Sequence, residues 1–205
     1  MTDIKVEKLS KRFGYQWIIR DFDGIFQAGN TYGITGNNGS GKSTLIRMFS
    51  GFLSPTSGSI TYTLKGKTVA NNMVFSHISL AAPYTDLINE YTLSEMFVFH
   101  QKFKKFKNPV SFKEFEDIIK LSGQREKPMQ HFSSGMKQKI QIALALLSDT
   151  PYLLLDEPTS FLDKAAKSWF EELLHLHAQN RVVIIASNDS FDIGLCGKVI
   201  ELSPL

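Results

Sequence analysis

The sequence predicts an α/β fold with a mainly parallel sheet, and three observations support this prediction. A glycine-rich loop at residues 36–44 lies between a short β-prone run and a segment with helical apolar spacing. Two later runs, 152–155 and 181–186, are largely apolar, as in strands buried on both faces of a parallel sheet. The 205 residues, 42% of them hydrophobic, suffice for one domain or for one domain with a small subdomain.

The segment before the loop is predicted to be β-structure. Short strands are expected at 4–9, 17–19 and 24–26, with a turn at 10–15 that carries aromatic side chains. Within this turn, the ring of Phe13 has two interpretations: stacking on a nucleotide base, with Tyr15 as a substitute, or ordinary packing in the core.

The glycine-rich loop itself predicts a phosphate-binding site. It consists of Gly36, Asn37, Asn38, Gly39, Ser40, Gly41, Lys42, Ser43 and Thr44. Its glycines let backbone N–H groups converge on a phosphate, and the start of the following helix adds partial positive charge. Lys42 is expected to reach the β- and γ-phosphates, and the Ser43 hydroxyl to bind Mg²⁺. The apolar face of the helix is assigned to Leu45, Met48, Phe49 and Phe52.

The middle of the chain changes character from strand to helix. Strands are predicted at 58–62 and 73–80, followed by aromatic-rich helices around 93–106 and 112–121, so a helical subdomain is expected at about 83–147. The basic and aromatic run at 102–107 has two interpretations. It is a solvated helix face that covers apolar surface, or a surface that docks a partner.

The last third of the chain supplies carboxylates at the end of a buried strand. A helix is predicted to open at 132–135, where Ser133 can cap it and Gly135 lets a ligand approach its first turn. The strand at 152–155 runs into Asp156 and Glu157, and the carboxyl ends of such strands are where open α/β sheets bind ligands. Asp156 is expected to hold Mg²⁺ through water, and Glu157 to polarise an attacking water. A further helix with apolar residues Ala165, Trp169, Leu173 and Leu176 and a strand at 198–202 complete the prediction.

Composition and charge exclude several classes of protein. The formal net charge is +3, from 23 basic and 20 acidic residues. This balance does not indicate the strongly basic surface that binds nucleic acid. One cysteine, Cys196, cannot form an intrachain disulfide. No apolar run approaches the roughly 20 residues that span a membrane, and the N-terminus has no signal-peptide core. The five histidines form no convincing metal set. We therefore expect a cytoplasmic protein.

Taken together, these motifs resemble the nucleotide-binding subunit of ATP-binding cassette (ABC) proteins, over essentially the whole chain. The loop at 36–44 matches the family's Walker A motif and 152–157 matches its Walker B strand and catalytic glutamate. The signature motif resembles 132–136, and the Ser-x-Leu-Asp loop matches 160–163. The resemblance implies a P-loop ATPase core with an N-terminal antiparallel β subdomain and the inserted helical subdomain. It also implies ATP and Mg²⁺ as ligands, and a base-stacking role for Phe13.

The same resemblance implies partners. Family members pair head to tail, as a homodimer or with another cassette, so that ATP lies between the phosphate loop of one chain and the signature helix of the other. Ser133, Gly135 and Asp163 would then contact nucleotide across the interface. A multi-span membrane permease is the further expected partner, with this chain peripheral on the cytoplasmic face of the inner membrane.

Three departures from the family pattern affect the expected activity. The signature motif has Ser134 and Met136 where Gly and Gln are usual. The strand end at 81–83 lacks the usual Gln, and Asn188 stands in the place of a His that contacts the γ-phosphate. Asn can hydrogen-bond a phosphate oxygen but cannot carry a positive charge. We expect ATP hydrolysis to be retained but slow. The alternatives are a soluble non-transport ATPase switch, such as an assembly factor, and a weakly hydrolysing ATP-binding regulator.

Overall fold

The computed structural model describes residues 1–203, which form two sheets and six helices. The strands are β1 (Asp3–Phe13), β2 (Gln16–Gln27), β3 (Asn30–Thr35), β4 (Ser57–Leu64), β5 (Lys67–Thr68), β6 (Ile78–Ala81), β7 (Tyr152–Asp156), β8 (Val182–Ala186) and β9 (Lys198–Glu201). The helices are α1 (Lys42–Phe49), α2 (Leu93–Phe103), α3 (Phe112–Ile119), α4 (Ser134–Leu147), α5 (Lys164–His177) and α6 (Ser190–Gly194). The predicted α/β fold class is confirmed.

A five-stranded parallel sheet positions the site. Its strand order is β6-β7-β8-β3-β9, and each neighbouring pair runs parallel. Alternate side chains of β7 enter different cores: Leu153 and Leu155 pack with the helices α4 and α5, whereas Tyr152 and Leu154 pack with α1 and the N-terminal strands. Because the strands are parallel, the segments that follow β3, β6, β7 and β8 all emerge at one edge of the sheet.

The N-terminal sheet is antiparallel, in the order β2-β1-β4-β5, and corrects the predicted strand boundaries. The strand expected at 4–9 continues to Phe13, so the turn is confined to Gly14 and Tyr15. The two short strands expected before Asn30 are one strand, β2. Register shifts in the β1–β2 ladder, together with left-handed backbone at Lys8 (φ 47°) and Asp21 (φ 48°), interrupt the apolar alternation without ending the strands.

Three predicted apolar elements are also corrected. Residues 71–77 form a 3₁₀ helix rather than a strand, with only Val74 buried, and strand pairing begins at Ile78. Phe52 lies beyond the end of α1 and is 76% exposed, so it is not part of the helix's buried face. Leu176 on α5 is 71% exposed, because the buried face of this helix ends with Leu173 and Leu174.

The basic run at 102–107 is not one solvated helix face. The helix α2 ends at Phe103, and the chain then turns inward so that the Lys104 ammonium donates to the carbonyl of Ile78. Phe106 is partly buried against the core and forms an isolated bridge with Ser148. Phe103, by contrast, is 71% exposed. The physical reason is that the helix breaks within the run, so its residues no longer share one face.

Within residues 1–203, no helix combines the length and the apolar character that crossing a membrane requires.

Candidate nucleotide-binding site

The phosphate loop joins β3 to α1 and depends on three glycines in left-handed backbone. Gly36, Gly39 and Gly41 have φ values of 144°, 86° and 99°, which other residues rarely adopt. A Cβ at Gly36 would lie 2.4 Å from the carbonyl oxygen of Leu202, and a Cβ at Gly41 would lie 2.7 Å from the Ile19 side chain. At Gly36 and Gly41 the loop therefore has no room for a side chain, whereas Gly39 is required only for its backbone conformation. No side chain caps α1, so its first amides remain available to a ligand.

The Lys42 side chain folds back into the loop. It is 7% exposed, and its ammonium donates to the carbonyl of Gly36 at 2.7 Å and to that of Asn37 at 3.4 Å. The hydroxyl of Ser40 is buried beside it without a hydrogen-bond partner. A buried hydroxyl without a partner costs free energy, and an anion held by the loop would satisfy it. The geometry therefore fits a phosphate group.

The Asp156 carboxylate fits a hydrated cation. Asp156 ends β7 and is 1% exposed, and neither carboxylate oxygen meets a protein donor in hydrogen-bond geometry. Burial raises the pKa of this carboxyl, and the nearby hydroxyls of Ser43 and Tyr84 oppose that rise. A buried carboxylate without a hydrogen-bond partner is costly unless a cation or water satisfies it, and oxygen ligands suit Mg²⁺. No group of three or more His, Cys, Asp and Glu residues gathers around a common point within the described chain.

One polar side chain at this edge of the sheet was missed from the sequence. The stretch 81–83 has no polar side chain, but the next residue, Tyr84, turns its ring onto α1, where the Arg47 guanidinium lies 4.0 Å from the ring centroid. The Tyr84 hydroxyl is buried and has no hydrogen-bond partner. In the sequence, Tyr84 directly follows the stretch 81–83 and is the first polar side chain after it.

Glu157 directly follows Asp156 and is held in an uncommon conformation. Its φ of 47° is left-handed, and its N–H donates to the carbonyl of Ala186 on β8 at 2.8 Å. Its carbonyl accepts from the Gln138 amide at 2.9 Å and from the Ser160 hydroxyl at 3.0 Å. Left-handed backbone at a residue other than glycine costs free energy and persists where the surroundings enforce it, often at functional sites.

The Glu157 carboxylate is linked to a second, fully buried carboxyl. The Ser187 hydroxyl lies 3.0 Å from Oε2 of Glu157 and 2.7 Å from Oδ2 of Asp192, which is 0% exposed. A hydroxyl has one hydrogen, so both contacts are hydrogen bonds only when one carboxyl is protonated. Burial raises the pKa of the Asp192 carboxyl above its ordinary value. Neither Ser187 nor Asp192 was singled out from the sequence, because the contact that links Ser187 to Glu157 joins residues 30 positions apart.

Asn188 reaches the phosphate loop. Its side-chain amide donates to Oδ1 of Asn38 at 2.8 Å, which joins the end of β8 to the tip of the loop. The backbone continues into α6, whose first turn is capped by Asp189. The structure thus brings Asn188, the loop and Glu157 to one edge of the sheet.

The signature helix lies on a separate surface. Ser133 caps α4 by accepting from the Met136 amide at 3.3 Å. A Cβ on Gly135 would lie 2.8 Å from the carbonyl oxygen of Phe161, so this position has no room for a side chain. Together with Asp163, which caps α5 by accepting from the Ala166 amide, these residues line a cleft of about 480 Å³. The residues that line this cleft include none from the phosphate loop.

Gln138 connects the two surfaces and was not assigned a role from the sequence. It is 7% exposed, and besides the Glu157 carbonyl its amide group contacts the loop after β7. Its Nε2 donates to the Ser160 hydroxyl at 3.3 Å, and its Oε1 accepts from the Phe161 amide at 2.9 Å. A displacement of α4 would therefore be transmitted to the backbone of Glu157.

Phe13 lies on the surface and not in the core. It is 53% exposed at the end of β1, and Tyr15 in the following turn is 99% exposed. The Lys11 ammonium lies 5.2 Å from the centroid of the Phe13 ring. The interpretation as core packing is therefore wrong, whereas base stacking stays a prediction.

Comparisons with known proteins agree with this geometry. A family model described as "ABC transporter" matches residues 19–160. An uncharacterised ABC transporter ATP-binding protein of Bacillus subtilis is 30% identical over 203 residues, covering 98% of this chain and 92% of that protein. A bacitracin transport ATP-binding protein of Bacillus licheniformis is 32% identical over 188 residues, covering 90% of this chain but only 60% of that protein.

A solved structure shows the same fold. The dimeric structure of a bacterial ABC transporter cassette superposes with a TM-score of 0.79 at 21% identity, covering 97% of this chain and 94% of that chain.

Proposed function

Because this chain belongs to the ABC transporter family and is an ATP-binding, ATP-hydrolysing cassette, we propose that it works as one of two cassettes. The two close on ATP and so drive a separate membrane-spanning subunit. The observation that carries the proposal is the meeting of the phosphate loop, Asp156 and Glu157 at one edge of the parallel sheet. In particular, buried oxygens of Ser40 and Asp156 lack protein partners there.

Each residue at this edge has a role that its chemistry suits. The loop amides of 36–44 and the Lys42 ammonium bind the phosphates of ATP, and this binding orients the γ-phosphate. Ser43 and Asp156 hold Mg²⁺, which supplies positive charge against the phosphate oxygens. Glu157 accepts a hydrogen bond from the attacking water and polarises it, with Ser187 fixing the direction of its carboxylate.

Asn188 orients the γ-phosphate but does not stabilise its charge. Its amide already donates to Asn38 at the loop, which places it where it can hydrogen-bond a bound nucleotide. An amide carries no positive charge and does not transfer a proton at neutral pH. Chemistry therefore rests on Lys42, Glu157 and the cation, and hydrolysis is slow.

Pairing of two cassettes completes the site. The cleft at Ser133, Gly135 and Asp163 is lined by none of the phosphate-loop residues, so a second copy is needed to bring a nucleotide to it. We propose a head-to-tail arrangement, in a homodimer or with another cassette, in which the α4 N-terminus faces the γ-phosphate bound to the partner chain. Phe13 stacks on the adenine of the nucleotide in its own chain.

The membrane partner docks on the helical segment. We propose that residues 1–205 form one cassette domain in which 83–147 is a helical subdomain. Its exposed side chains Val98 (54%) and Phe103 (71%) face the membrane subunit on the cytoplasmic face of the inner membrane. Support comes from a relative named for bacitracin transport. Such a partner accounts for apolar side chains on a helix end that would otherwise stay in water.

Copurification from native membranes tests this function. The tagged chain, solubilised gently, is expected to carry a stoichiometric multi-span membrane protein. Phe103→Glu is expected to abolish this association, because it places a charge on the proposed contact. A matched control is Phe52→Glu, at a residue that is 76% exposed outside the helical segment, and it should leave the complex intact. A soluble partner, or no partner, would contradict the transporter assignment.

A further inference from the structure

Tyr84 presents a polar atom to the nucleotide site that no hydrogen bond within the protein uses. The side chain is only partly buried as a whole, but its hydroxyl oxygen is shielded from solvent and lacks a partner. An unsatisfied buried hydroxyl destabilises the folded chain, so a ligand that offers it a hydrogen bond would be favoured at this point. The hydroxyl lies near the Asp156 carboxylate but outside hydrogen-bond geometry, and neither carboxylate oxygen has a protein partner.

Arg47 fixes the position of the Tyr84 ring. The Arg47 guanidinium stacks over the ring at 4.0 Å from its centroid, a close cation–π contact. Arg47 is also four residues after Ser43 on α1, so the two side chains lie on the same face of the helix. Because Arg47 stacks on the Tyr84 ring, Tyr84 lies against the same face of α1 as the Ser43 side chain.

Three oxygens from three elements thus converge at one point. Ser43 comes from the start of α1, Asp156 from the end of β7, and Tyr84 from the loop after β6. Both Ser43 and Tyr84 have their hydroxyls near the Asp156 carboxylate. The stretch 81–83 supplies no polar side chain of its own, so Tyr84 is the side chain from this strand end that can face the cation.

We propose that Tyr84 is a positioning residue for the Mg²⁺–ATP complex, and that its hydroxyl hydrogen-bonds a water molecule bound to the cation. This inference rests on the proposed function, since it deepens the same site. A phenol O–H donates one hydrogen bond and its oxygen accepts, which suits contact with a water bound to the cation rather than with the cation itself. Tyr84 thereby selects the magnesium complex over free ATP.

The substitution Tyr84→Phe isolates the hydroxyl, because the ring remains available to Arg47. Binding of a non-hydrolysable ATP analogue, adenylyl imidodiphosphate, is measured with Mg²⁺ and with EDTA. We expect the affinity in Mg²⁺ to fall about threefold to tenfold, the effect of one neutral hydrogen bond, and the affinity in EDTA to be unchanged. The affinity of the nucleotide-loaded protein for Mn²⁺, followed by electron paramagnetic resonance of free Mn²⁺, is expected to fall by a similar factor.

Tyr91→Phe is the matched control. This phenol packs edge-on against Phe99 at 5.4 Å in the helical segment, away from the loop, and its removal should change neither affinity. An unchanged dependence on Mg²⁺ in Tyr84→Phe would overturn the inference while leaving the proposed function intact. A wild-type protein that binds no nucleotide at all would instead refute the proposed function. A lower melting temperature of ligand-free Tyr84→Phe would also overturn the inference, because the hydroxyl would then have a structural partner.

Discussion

The backbone of Glu157, the residue proposed to polarise the attacking water, is held by its neighbours in an uncommon conformation. Its left-handed conformation is opposed by local sterics, which cost about 1–3 kcal/mol, and is enforced by hydrogen bonds from three elements. These contacts come from β8, α4 and the loop after β7. The carboxylate is therefore placed by the whole edge of the sheet, and substitutions at Gln138 are expected to act on hydrolysis through Glu157.

At the residue scale, Phe13 tests the base-stacking assignment. Phe13→Ala is expected to weaken ATP affinity by about 1 kcal/mol, because one face of the adenine loses its aromatic contact. Equilibrium titration with ATP measures this change. Phe52→Ala removes a similarly exposed ring elsewhere and should leave the affinity unchanged. If both variants bind ATP as the wild type does, Phe13 does not stack on the base.

The candidate site residues that the sequence predicts together are those whose spacing is local, and the structure brings them to one edge of the sheet. The loop at 36–44 and the pair Asp156–Glu157 lie within single motifs, so their pattern alone indicated where they would be found. Tyr84 and Asp192 could not be found in this way. Their importance depends on Arg47 and Ser187, residues that only the fold or a turn brings against them.

At the element scale, the capped N-termini of α3 and α4 allow the effect of a helix cap on stability to be compared with its effect on dimerisation. Ser133 caps α4 and Ser111 caps α3, each by accepting a backbone amide hydrogen bond in the first turn. Ser133→Ala and Ser111→Ala are each expected to cost about 1 kcal/mol of unfolding free energy. Chemical denaturation measures that loss. In a Glu157→Gln background, which keeps ATP bound, only Ser133→Ala is expected also to abolish ATP-dependent dimerisation, because in the proposed dimer α4 faces the partner's nucleotide and α3 does not. Equal dimerisation by both variants would argue against the assigned role of α4.

Strands were harder to delimit than helices, for a physical reason. The caps and periodicity of α4 and α5 are local signals, and the predicted helices begin close to the observed ones. The strand β2 is continuous because β1 pairs with it across a register shift. The first part of the apolar run at 73–80 is a 3₁₀ helix up to His77, because Met73 and Phe75 find no core to enter, and only the residues from Ile78 form a strand. Pairing of this kind is not encoded in any single segment.

At the scale of the whole molecule, the parallel sheet separates two cores. One core joins the sheet to α2, α3, α4 and α5, and the other joins it to α1 and the antiparallel sheet. Arg181 lies at the start of β8, where its guanidinium donates to the carbonyls of Ala145 and Leu146 at the end of α4. A displacement of α4 on nucleotide binding would therefore also displace Arg181 and the larger core that contains α4.

A partly buried histidine beside that core, His100, gives a pH dependence of stability. Burial and the nearby Lys104 lower the pKa of His100 to about 4 from its usual 6.5, and its Nε2 lies 2.8 Å from the Ser148 hydroxyl. The unfolded chain therefore binds a proton more readily, so the stability from neutral His100 is present above pH 6.5 and is lost as the pH falls towards 4.

His100→Gln should flatten this dependence. We expect the wild type to lose about 1–2 kcal/mol more than the variant between pH 7 and pH 4.5, after allowance for the partial exposure of the ring. Denaturation at several pH values measures the difference. His175→Gln, at an exposed position on α5, is the control and should retain the wild-type slope. Parallel curves for wild type and His100→Gln would exclude the buried imidazole as the cause.

The most direct test of the ATPase mechanism is single-turnover hydrolysis by Glu157→Gln. Glutamine keeps the size and polarity of the side chain but cannot accept a proton from water, so the rate is expected to fall at least about 100-fold. ATP should remain bound, because the phosphate loop and Lys42 are unchanged. A rate equal to that of the wild type, with ATP bound, would contradict the assignment of Glu157 as the residue that polarises the attacking water.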